Sequence, residues 1–243
     1  MILERRAYTL RPGLAAEFWA LQHSWNTMDA IPDYLERNIG YFDVAGGTAE
    51  QIVHLQRYDD FADWRDRVAS NQRQPGRQDY YTTARKLLTA QENGFFSPSP
   101  VARLSPLWNA ERDWLCDQPV FPDAGDVEGL IVTETSVDLL PGTAPSYWRE
   151  MEIFSETDGF EEQSLVGMFV SLVGQLHRVL EYRWFTSLDE FHRHRSRLER
   201  NKAWREAREA LNANVAASRI TVLRPSPVPW MRALFTPRGV HSG

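Results

Sequence analysis

Along the chain, short runs of alternating apolar and polar residues give way to stretches with apolar residues three or four apart, and this order occurs twice. Residues 2–10 (Ile-Leu-Glu-Arg-Arg-Ala-Tyr-Thr-Leu) read as a strand ended by the turn pair Pro12-Gly13. Between 14 and 28, Leu14, Phe18, Leu21, Trp25 and Met28 form the stripe of an amphipathic helix. The β-rich runs 39–45 and 51–58 flank Gly46-Gly47, as in a hairpin. Asp60 is placed to cap a helix in which Phe61, Trp64 and Val68 share one face. A further helix near 80–92 leads to a last strand around 95–103, whose prolines require an edge or an irregular end.

Strand, helix, strand, strand, helices, strand is the split βαβ order of a ferredoxin-like unit, one antiparallel sheet with helices on one face. The other face needs a cover, and a second copy supplies one. Pro98-Ser99-Pro100-Val101 recurs as Pro225-Ser226-Pro227-Val228, 127 positions on. Gly40-Tyr41-Phe42 answers Gly167-Met168-Phe169 at the same offset, and Pro12-Gly13 with Trp19 answers Pro141-Gly142 with Trp148 at 129. Asp60–Trp64 matches Ser187–Phe191 in chemical type, with Ser187 and Glu190 set up as a capping box. Ala84-Arg85 and Leu88 match Ala207-Arg208 and Leu211 at 123. A collinear series of this kind points to duplication. The fold class expected is α+β: two fused ferredoxin-like units whose antiparallel sheets face each other in an α+β barrel. The expected organisation is repeat 1 at 1–103, a linker at 104–127, a diverged repeat 2 at 128–229 and a tail at 230–243. The linker's Trp108, Trp114 and Leu115 are expected to hold it against the body of the protein, and the polar end of the tail is expected to be disordered.

Charge and composition narrow the classes of function. The net charge of −6, with no long basic cluster, opposes nonspecific binding to nucleic acid. The lone Cys116 forms no internal disulfide, the first residues enter a strand pattern with no apolar signal core, and no run is long enough to span a bilayer. The expectation is a cytoplasmic protein with no membrane partner. His192 and His194 stand two apart on a helix and diverge by about 200°, so they do not share a metal. No His-x-x-x-His pair, cysteine cluster or acidic calcium loop occurs, and no metal or other cofactor is expected. Haem ranks low because no histidine has an identifiable proximal setting.

The segment Glu4-Arg5-Arg6-Ala7-Tyr8-Thr9-Leu10-Arg11-Pro12-Gly13 resembles the opening motif of NIPSNAP-family domains. The resemblance continues through Gly40-Tyr41-Phe42 and Val53-His54-Leu55-Gln56-Arg57-Tyr58-Asp59-Asp60-Phe61-Ala62-Asp63-Trp64-Arg65. It covers about 2–70 well, while the second copy is placed through its similarity to the first. The family usually has an aromatic residue where Gln56 stands. The resemblance implies a dimeric α+β-barrel fold and, for chemistry, little. Its superfamily includes cofactor-independent monooxygenases, haem-degrading enzymes, dehydratases and cyclases, an analogy of fold only.

Strand alternation names the candidate site. Val53 and Leu55 are assigned to the helix side, which sends His54, Gln56 and Tyr58 into the space between the sheets. Glu4, Arg6 and Tyr8 of the first strand then share their face. The second copy has Thr133, Thr135, Val137, Glu181, Arg183 and Phe185 at these positions, so a pocket is expected to centre on copy 1. In such a pocket Arg6 would bind a carboxylate or phosphate, His54 would act as general acid or base, and Tyr8 or Tyr58 would orient the substrate. Glu4, Gln56, Glu181 and Arg183 complete the candidate set; a plain ion-pair network of Glu4, Arg6, Glu181 and Arg183 accounts for the same charges. The reading that follows is a small-molecule-binding barrel, working as a cofactor-independent isomerase, cyclase, dehydratase or oxygenase on a polar or anionic organic substrate. The alternative is a non-enzymatic interaction or structural protein with a filled barrel. A homodimer is left open, since no helix stripe demands one.

Overall fold

The structure, a computed structural model, describes residues 1–24, 36–116, 119–121 and 127–235. The predicted Trp25 and Met28 of the first helix stripe, and the end of the tail, lie outside these residues. Among them are eight strands and six helices. They run β1 (Ile2–Leu10), α1 (Ala15–Ser24), β2 (Asn38–Gly46), β3 (Gln51–Tyr58), α2 (Phe61–Arg73), α3 (Arg77–Leu87) and β4 (Leu88–Pro98), then β5 (Ile131–Leu139), α4 (Ala144–Ser155), β6 (Leu165–Val173), β7 (Arg178–Phe185), α5 (Leu188–Arg200), α6 (Lys202–Asn212) and β8 (Val215–Pro225). Hydrogen bonds link the strands in the order β1-β3-β2-β8-β5-β7-β6-β4, the strand order of a closed α+β barrel.

The chain divides into two compact units. One comprises Met1–Phe95, Trp114–Gly125 and Leu223–Gly243; the other comprises Phe96–Asp113 and Asp126–Val222. In the first, β3 lies between β1 and β2, antiparallel to both, with Arg6 opposite His54 and Tyr41 opposite His54. In the second, β7 lies between β5 and β6 in the same way, with Thr135 and Met168 opposite Glu181.

The repeated motifs each do the same local job twice. Gly13 and Gly142 hold φ +83° and +84°, the left-handed turn that a glycine accepts without steric cost. Asp60 accepts from the amides of Ala62 and Asp63, and Ser187 accepts from Glu190. The Glu190 carboxylate takes the Thr186 amide, one residue beyond the donor of a standard capping box. In the Pro-Ser-Pro-Val motifs, Ser99 and Ser226 each accept from the valine amide two residues on. Their own amides donate to Met168 and Tyr41, residues 127 apart like the serines themselves.

Two expectations need correction. The last strand of copy 1 starts at Leu88, not near 95, because its first half is polar, exposed and lacks apolar alternation. The match at offset 123 is also fortuitous: the buried inward positions of α3 and α6 are Ala84 and Leu211, 127 apart. In the segment between the copies Trp108 and Trp114 are buried, and Trp108 lies 5.5 Å from Phe169; Leu115 is exposed.

Gly40 and Gly167 each lie beneath a phenylalanine two residues on. A Cβ on Gly40 would come within 2.6 Å of the Phe42 ring, and one on Gly167 within 3.3 Å of Phe169. Because Phe42 is fully buried and has nowhere to go, Gly40→Ala is expected to cost about 1–3 kcal/mol, and Gly167→Ala clearly less. Urea midpoints of the two variants check this, and equal midpoints would refute it.

Candidate functional site

Alternation along β1 and β3 places Glu4, Arg6, Tyr8, His54 and Gln56 on one face, as the sequence implies. That face is turned toward the helices, not toward a space between sheets. A cavity of about 260 Å³ lies over it, walled by Glu4, Arg6 and Tyr8 of β1, Tyr41 of β2, residues of α2 and α3, and Gln91 and Asn93 of β4. The assignment of Val53 and Leu55 to the helix side is therefore overturned. Both faces of the sheet are buried, so the apolar one, with Leu3, Ala7, Val53 and Leu55, need not be the one that meets helices.

The helices bring chemistry that strand patterns do not reveal. Arg77 is buried with its guanidinium 5.1 Å from the Tyr80 ring centre and 5.3 Å from that of Tyr81, and Arg85 stands 5.7 Å from Tyr81. Gln22 of α1 donates to the Tyr80 hydroxyl at 2.8 Å, and Asn71 of α2 donates to that of Tyr81 at 3.0 Å. Three arginines and one glutamate line the cavity, so its field favours an anion.

Beneath this chamber is a polar layer with unmet hydrogen-bonding capacity. Glu4 is fully buried; one carboxylate oxygen pairs with Arg6 at 2.8 Å and accepts from Asn93 at 3.2 Å, while Oε2 has no partner. Gln56 accepts from the Tyr58 hydroxyl at 2.8 Å, leaving Nε2 without an acceptor. Neither polar atom of the buried Asn38 side chain has a partner. His54 is fully buried, its ring stacked on Tyr41 at 4.3 Å and edge-on to Tyr8 at 4.7 Å, and both nitrogens lack partners. Burial holds its pKa well below the ordinary 6.5, and the charges of Arg6 and Arg5 push the same way. His54 is thus a neutral imidazole at pH 7. Tyr8 and Tyr41 touch both it and the cavity.

Glu181 and Arg183, the candidates from copy 2, pair with each other in a separate cavity of about 280 Å³ in the second unit. The expectation that a pocket centres on copy 1 alone is corrected by this chamber, which lies between β5, β7, β8 and the helices α4, α5 and α6. His194, considered in the sequence only as a metal ligand with His192, lines it. Its Nδ1 lies 2.9 Å from Glu161, which Arg197 also grips at 2.8 and 2.9 Å. The Arg197 hydrogen bonds, more than the His194 contact, hold the Glu161 pKa down at about 2. Burial lowers the His194 pKa against the opposing pull of Glu161. The signal available in the sequence was the inward spacing of Phe191, His194 and Leu198 on α5.

The model of one family, NIPSNAP, matches residues 3–103 and 144–229. The chain belongs to the NIPSNAP family. It consists of two tandem NIPSNAP copies, the second diverged. A NIPSNAP-like domain protein of Burkholderia xenovorans is 37% identical over 45% of this chain and 96% of its own, with a TM-score of 0.36. Two solved structures match along nearly the whole chain. A candidate monooxygenase of Fusobacterium nucleatum has a TM-score of 0.62 at 11% identity, covering 93% of this chain and 92% of its own. One of Lactobacillus acidophilus has a TM-score of 0.59 at 11% identity, covering 93% of each. At that identity the likeness shows the fold alone. No curated protein matches the sequence. Among the described residues no helix is long and apolar enough to cross a membrane, and no three His, Cys, Asp or Glu side chains are grouped to hold a metal.

Proposed function

We propose that this NIPSNAP protein binds a small organic anion in the cavity of its first unit and performs cofactor-independent acid–base chemistry on it. The observation that carries the reading is the buried layer of Glu4, Asn38, His54 and Gln56, whose free polar atoms lie beside an arginine-lined chamber. Buried polar groups nearly always have partners, and clustered exceptions mark places where water or a ligand completes the bonding. Arg6, Arg77 and Arg85 supply charge for a carboxylate or phosphate, and the tyrosine rings supply faces for an aromatic or unsaturated body. His54, held neutral behind Tyr8 and Tyr41, is the general base, and Arg6, whose charge helps depress its pKa, also stabilises the anion left after proton removal. Isomerisation, cyclisation, dehydration and cofactor-free oxygenation all begin with such a step. The candidate monooxygenases that share the fold are in keeping with it.

The acidic balance of the chain argues against a nucleic-acid partner, and the single cysteine fits a reducing compartment, so we infer a cytoplasmic location. A homodimer is compatible with this reading and not required by it.

Thermal unfolding with 4-hydroxybenzoate and its neutral amide tests the proposal. An anion near 100 times its Kd is expected to stabilise the wild type by about 2.7 kcal/mol, or roughly 5–10 °C in a chain of this size. The amide should give much less, and Arg85→Gln should remove most of the response. Equal responses to anion and amide, or none across a wider series of organic acids, would overturn it.

A further inference from the structure

The two cavities are built from equivalent positions, and their linings differ in charge: three arginines face one glutamate in the first, while Arg183, Arg195 and Arg208 balance Glu161, Glu181 and Glu199 in the second. Arg77, Asn71 and Asn93 of the first correspond to Trp204, Leu198 and Ile220 of the second, each 127 positions on. On the first strand of each copy, at offset 129, Glu4, Arg6 and Tyr8 give way to Thr133, Thr135 and Val137. The strand registers confirm these equivalences: Arg6 faces His54 as Thr135 faces Glu181. Of these six exchanges three remove a charge, two an amide and one a phenol hydroxyl, whereas Val68, Gln72 and Tyr81 give way to Arg195, Glu199 and Arg208, charges of both signs.

The second chamber is not simply a filled relic of the first. At about 280 Å³ it is at least as large as the 260 Å³ of its counterpart. An apolar cavity of roughly 150 Å³ holds benzene, so this one has room for a molecule of about two fused rings. Its lining is mainly apolar and aromatic, including Met151, Phe154 and Trp204, and among its polar groups are Thr135 and the Glu181 carboxylate, which pairs with Arg183. With its charges balanced this chamber does not draw an anion as the first does, and the Glu181 carboxylate, with acceptor capacity beyond its Arg183 pair, accepts a hydrogen bond from a hydroxyl.

We infer that the second unit holds a separate binding site for a neutral, mainly apolar aromatic molecule with one hydroxyl group, which bonds Glu181. The site does not depend on the reading given for the first cavity. The duplication has produced two chambers on one scaffold, one for an anion and one for a neutral ring.

Calorimetric titration of the full chain with 2-naphthol, 2-naphthoate and naphthalene tests the inference. The wild type should bind 2-naphthol, and Leu198→Trp, which fills the chamber from a partly exposed position, should weaken that binding at least tenfold. Glu181→Gln and the near-isosteric Thr135→Val should weaken 2-naphthol severalfold and leave naphthalene unchanged. They guard against the chance that the filled variant misfolds. Arg85→Gln should leave 2-naphthol binding intact. No heat with 2-naphthol up to about 1 mM, or undiminished binding in a cooperatively folding Leu198→Trp, would overturn the inference. So would loss of 2-naphthol binding in Arg85→Gln alone, which would put the ring in the first cavity and leave the anion reading to its own test.

Discussion

Arg6→Met is expected to destabilise the protein by about 3–5 kcal/mol, the cost of leaving a buried carboxylate without its cation. Glu4 has no exposure to solvent, and Arg6, at 2.8 Å, is the guanidinium beside it. In the variant the Asn93 amide at 3.2 Å would be the remaining donor to that carboxylate. The double variant Glu4→Gln/Arg6→Met should recover most of the loss, because it removes both charges together. Urea denaturation of the two variants measures the difference. If the single and double variants unfold at the same midpoint, the pair is not coupled as the geometry requires.

His54→Phe is expected to act in the opposite sense and stabilise the fold by about 1–3 kcal/mol. Both imidazole nitrogens are buried without partners, and a phenyl ring keeps the contacts with Tyr41 and Tyr8 while removing the polar atoms. The effect should depend on pH. In the unfolded chain the imidazole takes up a proton as pH falls through about 6.5, while the folded one stays neutral to well below that value. Below pH 6.5 the unfolded state binds the extra proton, so wild-type stability falls by about 1.4 kcal/mol per pH unit until the folded pKa is reached. Above 6.5 there is no such dependence. The variant should lose this slope between pH 6.5 and 5, apart from a residue due to His194, whose pKa is lowered in the same sense. A wild-type curve flat across that window would refute the account. A gain in stability with loss of ligand response would mark His54 as a group retained for chemistry at the expense of the fold.

The first three strands of copy 1 and the start of the helix capped by Asp60 are legible in the sequence to within about a residue, because alternation, the Pro-Gly turn and the capping aspartate agree with one another. The duplication is legible for a related reason. Gly40 with Phe42, Ser99 with Val101 and Asp60 with Ala62 are contacts within two residues of each other, and such local contacts leave local motifs. Alternation also grouped Glu4, Arg6, Tyr8, His54 and Gln56 correctly. It could not say which face met the helices, because both faces are buried and an apolar face is equally at home on either side. Arg77, Tyr80 and Tyr81 went unread because an arginine and two tyrosines on a largely polar helix look like a solvated surface. Only the packing of that helix shows them as the wall of a chamber. His194 was missed because its value depends on Glu161, 33 residues away.

The serines at 99 and 226 give the duplicated gene a history. Each copy's last strand runs on to a serine whose amide bonds the second strand of the other copy. A single-copy ancestor would have carried that strand end with no mate in its own chain, and would have found one only in a sister molecule. Joining two copies in one polypeptide made that exchange permanent. It also freed the halves from having to be identical, since a mutation no longer struck both chambers at once.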